Sequence, residues 1–334
     1  MTTLDTREQE RVDRAGPGEQ ERVDRAGPPP AGDQERNRHG PRRRRRETLL
    51  GLALTAPAMV PLLVFVIGPS AAVAVISLYH WSLLGDAPVF AGVDNYTKLV
   101  HDEKFWQALR QTAYFALLTV PTTVGLGFVL GWALFRRVRS GHILGAVIFS
   151  PYVLPPIATL LTWSWIFHGR YGVLNALLGH LGIGPVDWLG DPDWIVPSMA
   201  FYTVWAGTGF SLVLYLSSFG RIPREVFEAA AVDGAGNGRI LRRIVFPLSG
   251  PTTYLLVIFN VTAALKMFVV SYMFTAGTGG TGRSGLTVNL YQYQQAFVNF
   301  EGGYGGAVAT TLTAVIMAVL AVGAALGQRK VFYQ

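Results

Sequence analysis

The chain has 334 residues, half of them hydrophobic and only 15% charged, with a positive mean hydropathy, a balance that excludes an ordinary soluble domain and points to a membrane protein. The formal charge of +7 does not mark a nucleic-acid binder, because outside the N-terminal tail the basic residues sit in short loops between apolar runs. Cysteine is absent, which excludes disulfides and thiolate metal sites.

Residues 1–46 are rich in Arg, Glu, Gly and Pro and repeat the decapeptide EQERVDRAGP at 8–17 and 19–28. Such a segment buries too little apolar area to offset its ordering entropy, so a disordered cytoplasmic tail is expected. Five consecutive arginines, 42–46, then stand before the first uncharged run, either as a positive-inside anchor or as a headgroup or retention signal.

Residues 47–334 carry six apolar runs, at 48–78, 111–135, 143–167, 195–219, 252–275 and 304–326. About 20 helical residues at ~1.5 Å each cross a hydrocarbon core of roughly 30 Å. The expected fold is therefore all-α, a polytopic membrane protein with six transmembrane helices, and the first run is too long for a typical cleaved signal peptide. Six spans place both termini on one side. With that side inside, the inner loops and tail hold Arg136, Arg137, Arg139, Arg221, Arg224, Arg239, Arg242, Arg243, Arg329 and Lys330, whereas the outer loops hold Lys98, Lys104, Arg110, Arg170 and Arg283. The excess assigns both termini to the cytoplasm of a cell (plasma or inner) membrane protein.

No enzyme chemistry is legible. The six His are dispersed without an HExxH, and His101-Asp102-Glu103 reads as solvated charge rather than a metal site. Gly277, Gly279 and Gly282 satisfy G-x-G-x-x-G but follow an apolar helix rather than a strand, so they read as a turn. None of the four Lys follows a phosphate-binding loop, so the chain is expected to bind no cofactor or metal, and any ATP used must be bound elsewhere.

Lys266 is the one charge deep in an apolar run, either as a functional group facing the bundle interior or as a snorkelling, packing residue. Asn260, Thr262, Phe268 and Tyr272 share its run, although 266, 268 and 272 trace no single narrow stripe. Trp163, Trp165, Tyr202 and Trp205 could stack on sugar rings or anchor helix ends at the interface. Pro121, Pro151, Pro155 and Pro156 are expected to kink or break helices.

The inner loop at about 220–250 reads as two short helices. Pro223 suits a first turn, Arg221 with Glu225 and Arg224 with Glu228 lie four apart, Gly234 and Gly236 provide a stop, and Asn237 can cap the second helix. Ile240, Leu241, Ile244 and Val245 fall on one face of that helix and Arg239, Arg242 and Arg243 on the other, a basic amphipathic pair suited to a membrane surface or a partner's groove.

This loop resembles the EAA loop of the membrane subunits of binding-protein-dependent ABC importers. Glu228, Ala229 and Ala230 are followed at the motif's spacings by Gly234, Ile244 and Pro247, with Phe246 where Leu is usual. Residues 50–332 resemble the sugar-transport branch through Phe90 to Tyr96, Phe105-Trp106, Gln111-Thr112, Gly172 with Asn175, Ile222-Pro223, Asp233-Gly234-Ala235, Leu290-Tyr291, Ala296-Phe297 and Gly303-Tyr304. Val269 replaces a commonly acidic residue and Thr281 a common proline.

The resemblance implies a permease that pairs with a second, similar permease, two cytoplasmic ATPase subunits using ATP and Mg, and an extracytoplasmic solute-binding protein that delivers a sugar. Glu228, Ala229, Ala230, Asp233, Gly234, Ile244 and Pro247 would couple to the ATPase; Asn260, Lys266, Phe268, Tyr272, Tyr202 and Trp205 would lie along the substrate path through the lipid bilayer. An importer for a phosphorylated polyol or a peptide, an ion-coupled secondary transporter and a non-transporting scaffold remain as alternatives.

Overall fold

The computed structural model describes residues 41–85, 87–136 and 141–328, which divide into two units at Pro69/Ser70. In the first unit, helix α1 (Pro41–Leu62) passes through Pro57 and Pro61 into a π-turn at Leu63–Ile67. Residues 41–46, expected in the tail, are therefore helical; the repeat lies outside the described residues. Leu52–Ile76 is long and apolar enough to cross a membrane, and helix α2 (Gly68–Ile76) forms its end.

In the second unit the chain makes a small antiparallel hairpin, β1 (Tyr79–His80) with β2 (Val89–Phe90), paired Tyr79 to Phe90 and His80 to Val89. The elements that follow among the described residues are helices: α3 (Asp94–Val100), α4 (Glu103–Phe135), α5 (Gly141–Val153), α6 (Pro156–Ile166), α7 (Val173–His180) and α8 (Ile195–Phe219). Then come α9 (Arg224–Val232), α10 (Asn237–Ile240) with a π-turn at Leu241–Val245, α11 (Phe246–Leu248), α12 (Gly250–Leu265), α13 (Val269–Phe274), α14 (Val288–Tyr293) and α15 (Gly302–Gln328).

Four helices among the described residues are straight and apolar enough to span: Leu52–Ile76, Glu103–Phe135, Ile195–Phe219 and Gly302–Ala325. Two further candidates are bent pairs, Ile143–Val153 with Pro156–Ile166 at 97° and Asn237–Leu248 with Gly250–Leu265 at 67°. The run 143–167 thus turns a corner. Pro155 and Pro156 have no amide hydrogens to continue the ladder, and Pro155 pushes Leu154 out of the helical region. Pro121, by contrast, sits inside an unbroken α4.

The run 252–275 departs further from expectation. Helix α12 stops at Leu265 with Lys266 as its C-cap, Phe268 is non-helical at φ −131° and ψ −59°, and α13 starts afresh at Val269. No proline or glycine explains the stop. Thr287 Oγ1 donates to Met267 O at 2.9 Å and Asn289 Nδ2 donates to Lys266 O at 2.7 Å, so side chains from the following segment take the carbonyls that a continuous helix would have used. That segment is held in turn by Val288 N donating to Thr112 Oγ1 of α4 at 3.0 Å.

Helices α4 and α8 pack at short range because small residues line the contact: a Cβ on Gly127 would collide with Ser211, and one on Gly209 with the backbone of Ile148 and Phe149 in α5. Lipid offers no hydrophobic drive for helices to associate, so such backbone approach supplies the dispersion contact instead. Phe115, Leu160, Met199, Tyr202 and Phe274 fill one core cluster, and Phe105, Leu286, Leu290 and Tyr304 a second. A third joins Tyr215, Phe219 and Leu256 of the spans to Ala230, Ile240 and Val245 of the polar loop.

Candidate functional site

The 224–248 loop is built as a helical hairpin on the ends of two candidate spans. Helix α9 ends in a Schellman turn: Ala235 N donates to Ala230 O at 2.9 Å and Gly234 N to Ala231 O at 3.0 Å, with Gly234 at φ +70°. A glycine is required there because a Cβ is disfavoured in the left-handed region. Ala230 and Ala235 face the same apolar cluster, while Glu228, Ala229 and Asp233 are exposed. In the second helix Ile240 and Val245 are buried, Leu241 and Ile244 half-buried, and Arg239, Arg242 and Arg243 exposed, which matches the expected faces. Pro247 is exposed and precedes the 67° bend.

Two local expectations fail. Gly236, not Asn237, occupies the N-cap, and no side chain caps the helix, because Asn237 already lies inside the first turn. The pairs Arg221 with Glu225 and Arg224 with Glu228 do not close; among the described residues the ion pairs are His80 with Asp94 and Lys98 with Glu301. The Glu228 carboxylate is left exposed to water, with Val232 beside it 88% exposed.

The six substrate-path candidates fall into two groups. Phe268 packs on Tyr272 at 5.5 Å and on Tyr293 at 5.3 Å, and Tyr272 meets Tyr293 edge-on at 5.7 Å; Phe268 and Tyr272, four apart, share a helix face, and Tyr293 joins them from α14. Lys266, two positions before Phe268, is exposed, and Tyr272 is 36% exposed. Tyr202 and Trp205 lie 6.1 Å apart with Trp163 between α6 and α8, but Tyr202 is buried and shares a hydrogen bond with Thr159 at 2.8 Å, which makes it a core residue. Asn260 is half-buried and spends its amide on Leu256 O at 2.8 Å. Trp165 is 74% exposed near the end of α6. The glycines at 277, 279, 280 and 282 all have positive φ and form the turn expected of them.

One site was read too simply from sequence. Asp102 is not merely solvated: its Oδ1 accepts Lys104 N at 2.9 Å as the N-cap of α4, and its Oδ2 accepts the hydroxyls of both Tyr291 and Tyr304. Burial pushes its carboxyl up, but hydrogen bonds from the two tyrosines and from the Lys104 and Phe105 amides outweigh it and hold it below the ordinary carboxylate range. Burial and the Asp102 carboxylate raise the Tyr291 hydroxyl. Lys98 completes the group, 4.3 Å above the Tyr304 ring and 2.6 Å from Glu301 Oε2.

Other residues of the resemblance hold the frame. Asn95 donates to Ser77 O and Tyr79 O, both at 2.9 Å, and Tyr96 shares a hydrogen bond with Ser77. Asn175 donates to Gly169 O and Val186 O and accepts from Val186 N and Trp188 Nε1. Gly303 presses on Tyr79 O so closely that no Cβ fits.

The family described as "Binding-protein-dependent transport system inner membrane component" matches residues 123–331. The chain belongs to that family. It is 33% identical over 279 residues to the sulfoquinovosyl glycerol transport system permease protein SmoG of Agrobacterium fabrum, covering 83% of this chain and 89% of that one. The trehalose/maltose permease MalF of Thermococcus litoralis is 29% identical over 81% of this chain and 91% of its own. The lactose permease LacF of Rhizobium radiobacter is 31% identical over 80% and 89%. In fold, the chain superposes on a bacterial alginate ABC transporter, solved with an alginate-bound periplasmic protein, with a TM-score of 0.73 at 18% identity, covering 85% of this chain and 96% of that one. This family member is thus an all-α, multi-pass inner-membrane component of a transport system.

Proposed function

We propose that this family member is the permease subunit of an ATP-driven sugar importer, forming half of the transmembrane path beside a second, similar permease. Two cytoplasmic ATPase subunits would bind ATP and Mg, and an extracytoplasmic binding protein would deliver the sugar. The observation that carries the coupling role is the Schellman-closed hairpin, with Glu228, Ala229, Asp233 and Val232 exposed on a base welded to two candidate spans through Ala230, Ile240 and Val245. A rigid, partly unpaired lever of this kind suits the transmission of an ATPase movement into the bundle. Ile244 and Pro247 would fix its angle. The sugar assignment is supported by the names of the relatives, which transport sulfoquinovosyl glycerol, trehalose or maltose, and lactose.

The reading places the hairpin and both termini in the cytoplasm, and makes the six-span count the sum of four straight helices, the bent crossing at 143–166 and the interrupted run at 250–275. Single cysteines at Gly238 and Thr281, both exposed, in this naturally cysteine-free chain test that directly. An impermeant maleimide should label Thr281→Cys in intact cells and Gly238→Cys only after lysis. Uptake of labelled glycosides by the full importer in proteoliposomes should require ATP, and Glu228→Arg or Gly234→Asp should uncouple it. Unchanged ATPase association and uptake in both variants would remove the coupling role. Uptake without any ATPase, driven by a proton gradient, would overturn the importer reading.

A further inference from the structure

We infer that the cleft between the β1–β2 hairpin and the turn at 299–301 binds one glycosyl unit of a neutral sugar; this rests on the sugar-importer reading above, whose topology puts the cleft on the extracytoplasmic side. The cleft has a volume of about 400 Å³ and is bordered by Trp81, Asn95, Lys98, Asn299, Glu301 and Tyr304, among others. Small-molecule sites span roughly 300–1,000 Å³, so one sugar ring fits with room for its linkage.

Two observations mark the cleft as more than a surface dent. Asn95 is 4% exposed, and both hydrogens of its Nδ2 go to main-chain carbonyls, Ser77 O and Tyr79 O, at 2.9 Å each. No donor among the described residues reaches its Oδ1. A buried acceptor left without a partner is costly, but this one is not sealed in: among the described residues the enclosed side-chain atom without a bond is Ser211 Oγ. Asn95 Oδ1 therefore has open space before it, and the cleft is the space that Asn95 borders. The second observation is Phe300, whose φ of +59° is a left-handed conformation that a bulky side chain rarely adopts and that tends to mark functional sites. Leu83 N and Gly302 N hold the turn by donating to Phe300 O at 3.0 and 3.1 Å, and the three successive residues 299–301 all border the cleft.

The lining selects the class of ligand. Lys98 meets Glu301 at 2.6 Å and His80, also on the lining, meets Asp94 at 2.9 Å, so each charged residue that borders the cleft among the described residues already has its counter-charge. An anion would have to compete with Glu301 for Lys98, and a cation with Lys98 for Glu301. A sugar hydroxyl both donates and accepts, so neighbouring hydroxyls can give a proton to Asn95 Oδ1 and to Glu301 Oε1 and accept one from the remaining ammonium hydrogens of Lys98 without breaking the pair. Trp81 adds an indole to the wall, and a pyranose offers such a ring its apolar face. Tyr304, buried and bonded through its hydroxyl to Asp102, closes the inner side.

The test uses the assembled complex of both permeases and ATPases in nanodiscs, with diazirine derivatives of maltose, lactose and trehalose as photoreactive probes and peptide mass spectrometry as the readout. At least one probe should label peptides carrying residues 81–98 or 299–304, and excess unlabelled sugar should compete where inorganic phosphate does not. Ala87→Trp, which fills the cleft from an exposed position on its border, should lower that labelling about ten-fold or more. The double variant Lys98→Met with Glu301→Gln, which removes the pair without leaving a lone charge, should lower it by about ten-fold, the effect of roughly one lost charge-assisted hydrogen bond. Both variants should assemble as wild type does by size exclusion. No labelling of these peptides in wild type, labelling in Ala87→Trp within two-fold of wild type, or competition by phosphate as strong as by sugar overturns the cleft inference; ATP-dependent uptake of a glycoside then leaves the sugar importer standing. ATP-dependent uptake of a peptide with no glycoside transported overturns both.

Discussion

Asp102→Ala should be strongly destabilising. It removes the shared acceptor of Tyr291 and Tyr304 and the N-cap of α4 at once. A hydrogen bond to a charged group contributes about 1.5–3 kcal/mol, and loss of an Asp cap costs about 1 kcal/mol. Asp102 is only half-buried, so water recovers part of the tyrosine bonds, and the lower end of the range applies. Two bonds at ~1.5 kcal/mol and the cap at ~1 kcal/mol sum to about 4 kcal/mol, or a drop in Tm of roughly 10 °C for a domain of this size. Asn at 102 keeps one acceptor oxygen, enough for the cap or for a tyrosine but not both, and should lose about half as much. The sign of the pH dependence follows from the lowered carboxyl. Its stabilisation is complete above the unfolded value near ~4 and is lost as pH falls through the lower folded value. Melting of the purified protein in detergent should therefore show a gap between wild type and Asp102→Asn that is constant from about pH 5 to 8 and narrows below about pH 4. An Asp102→Ala protein that melts with wild type, or a gap that closes near neutrality, would refute the argument.

Four further outcomes are expected. Gly234→Ala should destabilise the hairpin by about 1–2 kcal/mol, read as faster amide exchange in α9, because alanine is strained at φ +70°. Asn175→Ala should cost roughly 3 kcal/mol in thermal melts, since it strands the Trp188 indole N–H and the Val186 amide in a part-buried site. Gly209→Leu should abolish folded expression by forcing α8 away from the Ile148–Phe149 backbone, a loss scored by fluorescence-detected size exclusion. Glu301→Gln should change the melting temperature by only about 1–2 °C, because its pair with Lys98 is about half exposed and such pairs contribute roughly 0–1 kcal/mol.

How much of this was legible depended on how far apart the partners lie in the chain. The hairpin faces and the Gly234 stop are set by spacings within a turn or two, and the structure keeps both, whereas of the six apolar runs it keeps four as straight helices and breaks those at 143–167 and 252–275. The 97° corner was signalled by Pro155 and Pro156, although prolines alone did not separate it from Pro121, which α4 absorbs. What sequence reading missed required side chains to meet across long separations: Asp102 with tyrosines 189 and 202 positions away, and Tyr293 completing the cluster at Phe268 and Tyr272. Tyr202, a path candidate by type, is a core residue because Thr159 of a neighbouring helix satisfies its hydroxyl.

The stop after Leu265 has a consequence for how such permeases can be recombined. Its instructions are not in the span that it interrupts but in Thr287 and Asn289, 20 and 23 positions downstream of the carbonyls they bind. A chimera that imported a relative's helix up to residue 275 while keeping the native 287–289 would ask two threads of different origin to meet at one seam. Residues 250 to 293 therefore belong in one cassette, exchanged with Thr112 kept as the acceptor of Val288 N, and substitutions at 266–268 and at 287–289 should be inherited together.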